Sequence, residues 1–473
     1  MLINRLPEIE VPEDDPFKFD KLDRKPCANT FLSLVKLYST TGCVIALNGE
    51  WGTGKTTFVR MLFQLLKRDQ GHPLYFNAWE NDYVSDPLIA LLSELKELAP
   101  QSNKWDDVLA NGGKILTSIL TSAAKTFAKN KLGIDSDAVS SGIDEVGRLL
   151  KGDIDEFSKQ KTTFAEFRKA LQCYIAENTT EDVPVVFFVD ELDRCNPHFS
   201  VLVLERIKHL FDIPNIIFVL SVNKKQLGYA IQGYYGSGNI DADNYLRRFI
   251  DIDYSLPRPD SDKFCQYLFD IYKFDQVFNH KDRKQHHEFS SDADNFKRIA
   301  TILMSSSNLD LRTSDKIFTH TRLALMEFSN NSYIVPDVFF LLCYLRFANP
   351  DLYHNIIEEK YNAQQLLDEM EEFIPFELLV MNENNSSWRQ MTYTIASFVL
   401  MYTLDDNGRE RMTIISRDDK TTSLKPKHMD EKTFNEALLW YYGKLHQGEI
   451  PLRFLTKKIE LEQAIILRAD SDN

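Results

Sequence analysis

Glycine, lysine and threonine are spaced in one stretch as a phosphate-binding loop requires. Gly49-Glu50-Trp51-Gly52-Thr53-Gly54-Lys55-Thr56 obeys G-x-x-x-x-G-K-[ST], with the apolar run CVIALN before it and the helical pattern TFVRMLFQLL after it. Glycines at these positions let backbone N–H groups turn inward as a nest at a helix N-terminus, which favours anions. Gly49, Glu50, Trp51, Gly52, Thr53, Gly54, Lys55, Thr56 and Thr57 are therefore the expected nucleotide-binding residues. Lys55 is expected to reach the β- and γ-phosphates of ATP, and the Thr56 hydroxyl to ligate Mg²⁺.

A hydrolase also needs an acidic residue at the end of a second buried strand. VVFFVDELDRCNP supplies one: Asp190 ends the apolar run as the metal candidate, and Glu191 is placed to take a proton from an attacking water. Arg194 is expected to pair with Asp193, the alternatives being a subunit contact or an arginine finger. Asn223, after NIIFVLSV, is a candidate for holding the water. The run Asn223-Lys224-Lys225-Gln226 resembles the guanine-reading N-K-x-D, but Gln226 stands where the base-reading aspartate belongs, which favours ATP over GTP. Arg247, Arg248 and above all Arg312, at the start of a helix, are candidates for closing on the phosphates. The run HKDRKQHH at 280–287 reads as a solvated loop.

These residues need a parallel sheet to position them. Strands are expected at 43–47, 73–79, 183–189 and 215–222, with a last one in IDIDYSLP; amphipathic helices separate them, and near-continuous apolar strands imply a sheet covered on both faces. The fold class is thus α/β, a P-loop NTPase core with a mostly parallel sheet, followed by an all-helical lid and a C-terminal region. The expected domains are a core over 1–258 with an amphipathic helical insertion at 103–160, a helical lid over 259–400, and a mixed region over 401–473 holding a hairpin near 411–425 and helices at 434–445 and 462–469. Lys114, Lys125 and Lys129 interrupt the insertion's apolar face, so it reads as a helix on the protein's own surface, the alternative being a face that binds a partner or a membrane surface.

At 473 residues the chain exceeds what one core holds. With 43% apolar and 26% charged residues it has an ordinary globular composition. A net charge of −15 disfavours nucleic acid and anionic membranes, although a local basic groove stays open. Six scattered cysteines without a C-x-x-C pair read as reduced cytoplasmic thiols. The acidic, proline-interrupted N-terminus lacks the pattern of a signal peptide, and no run of ~18 apolar residues suits a membrane-spanning helix.

GEWGTGKTTF, YFNAWE with its following D-P-L, FFVDELDRCNP, and FVLSVNKKQL leading to NYLRRFIDIDYSLP together resemble the KAP family of P-loop NTPases, over about residues 20–325. The resemblance implies an ATPase core of the additional-strand, catalytic-glutamate type with a helical lid, in which Lys55, Thr56, Asp190 and Glu191 match the nucleotide-site positions. Relatives often carry aspartate where Asn223 stands. Many members have transmembrane helices where this chain has the lysine-interrupted segment 103–160. Soluble bacterial members often belong to anti-phage defence systems, which implies a protein partner or self-assembly. Two function classes remain: a Mg²⁺-dependent ATPase whose cycle moves the helical domain, and a scaffold that binds ATP but hydrolyses it slowly. A kinase is a third and weaker class.

Overall fold

The computed structural model describes residues 10–84, 86–99, 102–115, 144–179, 183–236, 238–257, 260–307, 309–382, 386–416, 421–445 and 450–460. The central part of the expected insertion and the expected helix at 462–469 lie outside these. The chain divides into two compact units at residues 258 and 259.

The first unit is built on five strands, β1 (Cys43–Asn48), β2 (His72–Asn77), β3 (Val185–Asp190), β4 (Ile216–Val222) and β5 (Ile252–Ser255). Their order is β2-β3-β4-β1-β5 and every pairing is parallel. β3 and β4 are buried along their whole length. Side chains alternate across the sheet: Val186 and Phe188 join Phe31, Phe58 and Leu62 on one face, while Phe187 and Val189 join Leu91, Phe167 and Leu204 on the other. This is why these strands carry no polar alternation in the sequence. The helices are α1 (Lys25–Leu37), α2 (Lys55–Arg68), α3 (Pro87–Lys96), α4 (residues 103–115), α5 (Asp144–Asn178), α6 (Pro197–Leu210), α7 (Lys224–Tyr235) and α8 (Ala242–Leu246). The helix expected at 162–178 is the last part of α5. Asp86 and Asn196 cap α3 and α6, each with proline in the first turn.

The second unit is helical: α9 (Ser261–Ile271), α10 (Asp275–Phe278), α11 (Lys281–Lys284), α12 (Asp292–Ser306), α13 (Leu311–Ala324), α14 (Pro336–Ala348), α15 (Pro350–Ile357), α16 (Ala363–Phe373), α17 (Ser387–Tyr402), α18 (Glu431–Leu445) and α19 (Leu452–Ile459). Phe269, Phe274, Phe296, Phe318 and Phe340 form a continuous ring cluster in its core, and α14 is buried from Pro336 to Leu345. In the region of the expected hairpin Ile415 and Thr422 form an antiparallel bridge, flanked by the Ser416 N–H donating to the Thr421 carbonyl at 2.8 Å and the Ser423 N–H donating to the Ile414 carbonyl at 3.0 Å; residues 417–420 lie outside the described ones.

The run at 280–287 is solvated as expected except at Arg283, and Lys281–Lys284 within it form a single helical turn. Arg283 is 1% exposed and donates to the Asp292 carboxylate and to the Asn330 and Ser332 carbonyls. Its long stem crosses the face of Phe289, with the guanidinium carbon 4.2 Å from the ring centroid, so a charged run conceals one buried cation. All six cysteines are free thiols. Among the described residues no helix is long and apolar enough to cross a membrane, and no group of three or more His, Cys, Asp or Glu could hold a metal.

Candidate functional site

The parallel register aligns the carboxyl ends of four strands. Asn77, Asp190 and Ser221 stand side by side on β2, β3 and β4, and Asn48 on β1 pairs with Val222. Ligand sites in such sheets form beyond these ends.

The glycine loop leaves β1 through Gly49, whose N–H donates to the Val222 carbonyl, and enters α2 at Lys55. Gly52 and Gly54 have φ of +78° and +84°, where a side chain would be strained. A Cβ on Gly49 would meet Thr53 Oγ1 at 2.9 Å and the Lys55 stem at 3.4 Å. The N–H groups of Lys55, Thr56 and Thr57 occupy the first turn of α2, where helical amides have no intrahelical partner. Lys55 is 8% exposed and its Nζ donates to the Gly49 and Glu50 carbonyls at 2.6 and 3.0 Å. Burial lowers its pKa, opposed by the charges of Asp193, Asp190 and Glu191. Thr56 is half-buried beside it.

Asp190, 1% exposed, accepts from the Tyr75 hydroxyl at 3.2 Å and from the Glu191 N–H at 3.0 Å, and has no cationic partner among the described residues. Its neighbour in register, Ser221, has a buried hydroxyl without a hydrogen-bond partner among the described residues. Glu191 adopts φ +61°, a left-handed conformation that costs a non-glycine residue about 1–3 kcal/mol. This turns its side chain to the Arg194 guanidinium, with which it forms an ion pair, and to Asn77 Nδ2 at 3.5 Å. Burial raises the Glu191 pKa, while Arg194 and Asn77 pull it down. The guanidinium of Arg194 also lies 5.6 Å from the ring centroid of Trp79.

Arg194 thus pairs with Glu191 and not with Asp193. The tight 3-10 turn Leu192–Arg194 brings residues three apart onto one side, leaving Asp193 to face elsewhere. Asp193 Oδ2 accepts from Trp51 Nε1 at 2.6 Å and from the Asn223 N–H at 3.1 Å, tying the glycine loop and the end of β4 to the acidic turn. Asn223 spends its Oδ1 capping α7, accepting from the N–H groups of Lys225 and Gln226 at 3.1 and 3.2 Å, so only its Nδ2 can donate to a water. Arg247 and Arg248 are exposed at the end of α8, and Arg312 is exposed in the first turn of α13 in the second unit.

Compared with known families, residues 24–328, more than half of the chain, match the KAP family P-loop domain. The chain belongs to the KAP family. A curated relative, the phage T7 exclusion protein of Escherichia coli (strain K12), is 23% identical to it over 268 residues, covering 53% of this chain and 34% of the relative. The chain therefore spans about a third of that protein's length. Among solved structures, the Aeropyrum pernix ORC2 protein in its ADP form aligns over 97% of this chain and 96% of its own, at 10% identity and a TM-score of 0.31. The same protein with ADPNP and ADP aligns over 95% of each chain, at 12% identity and a TM-score of 0.32.

The segment LDRKPCANTFLSLV resembles the family's entry segment, but the sequence assigns no role to the arginine within it. Arg24, 3% exposed, donates to the Pro257 carbonyl at 2.5 Å and to the Thr53 carbonyl at 3.1 Å, clamping the glycine loop to the chain that leaves β5. Its position at the start of the segment LDRKPCANTFLSLV was visible in the sequence, but its contacts span 29 and 233 residues.

Proposed function

We propose that the KAP domain is a Mg²⁺-dependent ATPase in which Glu191 takes the proton of the attacking water. The observation that carries this reading is the placement of Glu191 one residue beyond the buried Asp190, at the strand ends that also position Lys55. Lys55 and the first-turn amides of α2 would hold the phosphates, as the two positive-φ glycines allow. The residues fit a divalent cation: Asp190 is a buried carboxylate with no ion-pair partner among the described residues, and Thr56 lies in the first turn of α2. A bound Mg²⁺ supplies charge neutralisation at the phosphate oxygens, with Thr56 and Asp190 as its protein ligands. Asn223 orients the water through its remaining amide.

The name of the phage T7 exclusion protein supports a role in defence against phage; action in the bacterial cytoplasm through a protein partner or self-assembly belongs to the same proposal. A second reading is a scaffold that binds ATP and hydrolyses it slowly, favoured by the Arg194 ion pair that engages the Glu191 carboxylate.

The test is phosphate release and ATP affinity for the wild type and Glu191→Gln, with Mg²⁺. Turnover in the wild type and a loss of about 10²-fold or more in the variant at unchanged affinity is the expected result. Tight binding without release in both proteins would replace the ATPase reading with the scaffold.

A further inference from the structure

The helical unit contains a cavity of about 840 Å³, within the range of small-molecule sites. It is lined by α12, the N-terminal end of α14, α17 and α18. Three features of its wall complement one another. Tyr393, Trp440 and Tyr441 form a cluster of rings with centroids 4.7–6.4 Å apart and planes inclined by 65–83°. Asp337 is 6% exposed, and its carboxylate is held by the Thr394 hydroxyl at 3.4 Å and by backbone N–H groups of its own helix end. It has no cationic partner among the described residues. Arg298 and Arg389 line the same cavity and form no ion pair among the described residues; Arg298 donates to Gln390 Oε1 at 3.4 Å, and Arg389 lies 5.8 Å from the centre of the Tyr393 ring.

Asp337 is buried, whereas Arg298 and Arg389 are exposed; all three line one cavity beside the aromatic rings with no ion pair among the described residues, while Asp292 of the same wall is paired with Arg283. The complementary ligand has a flat body, adjacent N–H donors for the carboxylate and an anionic group for the guanidiniums. Guanine presents two neighbouring donors, N1–H and N2–H, on its Watson–Crick edge, whereas adenine presents one donor beside an acceptor. Bases stack on aromatic rings and arginine planes, and arginine suits phosphate. Val335, a β-branched residue at φ +48°, supports a functional cavity, since it lines the same wall immediately before α14 and such strain collects at ligand sites.

We propose that this cavity is a second ligand site, independent of the glycine loop, and that it binds a guanine nucleotide, with Asp337 reading the base, the ring cluster stacking on it, and Arg298 and Arg389 holding the phosphate. The test is calorimetric titration of the full-length chain with GMP and with AMP, in the wild type and in Lys55→Ala, which cripples the glycine loop. The expected result is saturable GMP binding that survives Lys55→Ala and exceeds AMP binding at least about ten-fold, because a site built for two donors rejects a ligand that lacks one. Asp337→Asn, which keeps the side-chain shape, removes that preference, and Arg389→Ala weakens GMP while leaving guanosine unchanged. Absence of saturable GMP binding at millimolar concentration, or binding that neither substitution alters, overturns the proposal. Equal affinity for GMP and AMP overturns the assignment to guanine. ATP turnover measured in the same preparations separates failure of this site from failure of the ATPase reading.

Discussion

Asp193→Ala is the perturbation that best probes how the acidic turn organises the nucleotide site. The carboxylate is 8% exposed and one oxygen receives two donors, Trp51 Nε1 and the Asn223 N–H. Hydrogen bonds to a charged group contribute about 1.5–3 kcal/mol each, and a buried donor left unsatisfied costs about 1–3 kcal/mol. Trp51 is 41% exposed, so its indole N–H finds water when the carboxylate is lost and its share falls at the low end. The Asn223 N–H lies at the end of a fully buried strand and has less recourse. One opposing effect exists, because Asp193 also repels Glu191.

The balance is a loss of roughly 2–4 kcal/mol, or about 5–15 °C in the melting of a unit this size. Thermal and urea unfolding of the full chain measure it, and Trp51 fluorescence reports the loop itself. Trp51→Phe removes only the indole bond and is expected to cost no more than about 1.5 kcal/mol. Asp193→Ala should also weaken nucleotide binding, since the loop and the end of β4 lose their common anchor. A loss below about 1 kcal/mol, or one no larger than that of Trp51→Phe, would refute the reasoning.

Arg194→Ala removes the cation that pulls the Glu191 pKa down against burial, so the pKa rises further; a base must be ionised to act, and the acid limb of kcat/KM against pH should move to higher pH, whereas an unmoved limb assigns the titration to another group. Arg24→Lys cannot span both the Thr53 and Pro257 carbonyls as the guanidinium fork does, and should cost about 2–4 kcal/mol in urea unfolding together with a weaker ATP affinity; an ATP affinity equal to the wild type would show that the clamp does not shape the loop. In the helical unit, burial pushes the Asp292 carboxyl up to about 6 against the pull of Arg283. The folded state then binds the proton more tightly than the unfolded chain does, so this group's contribution is fully present below about pH 4 and is lost as pH rises through about 6, a span of roughly 3 kcal/mol. Urea unfolding of the wild type and Asp292→Asn between pH 4 and 7 should show that slope only in the wild type.

What the sequence revealed and what it hid differ by the range over which the forces act. CVIALN, VVFFVD and IIFVLSV are legible as covered strands because a sheet buried on both faces leaves no polar register, and the glycine loop is legible because only glycine tolerates φ near +80° at Gly52 and Gly54. Both are local demands on local residues. The Glu191 backbone is a local demand of another kind: the left-handed conformation falls on a residue type that does not announce it, so neither its strain nor its turn toward Arg194 could be read beforehand.

Charged side chains were harder still, because their partners are chosen by the fold. Asp193 and Arg194 are adjacent and opposite in charge, which suggests a pair, yet a 3-10 turn sends them to opposite neighbours: one to a tryptophan 142 residues away, the other to the glutamate three residues back. Arg283 sits in a run of cations and histidines and is nevertheless the largest fully buried side chain in the unit's core, since Asp292 and two backbone carbonyls replace its water. In each case the sequence showed that a charge was present and the fold decided what neutralised it. For the glycine-loop site that decision has a chemical consequence. Arg194 is close enough to tune the proposed base and to occupy it, so the same ion pair that lowers the Glu191 pKa also sets how much of the carboxylate is available to water. The acid limb and the maximal rate of Arg194→Ala therefore separate the two effects: a limb that moves up with a rate that also rises identifies an arginine that restrains the glutamate, and a limb that moves up with a falling rate identifies one that activates it.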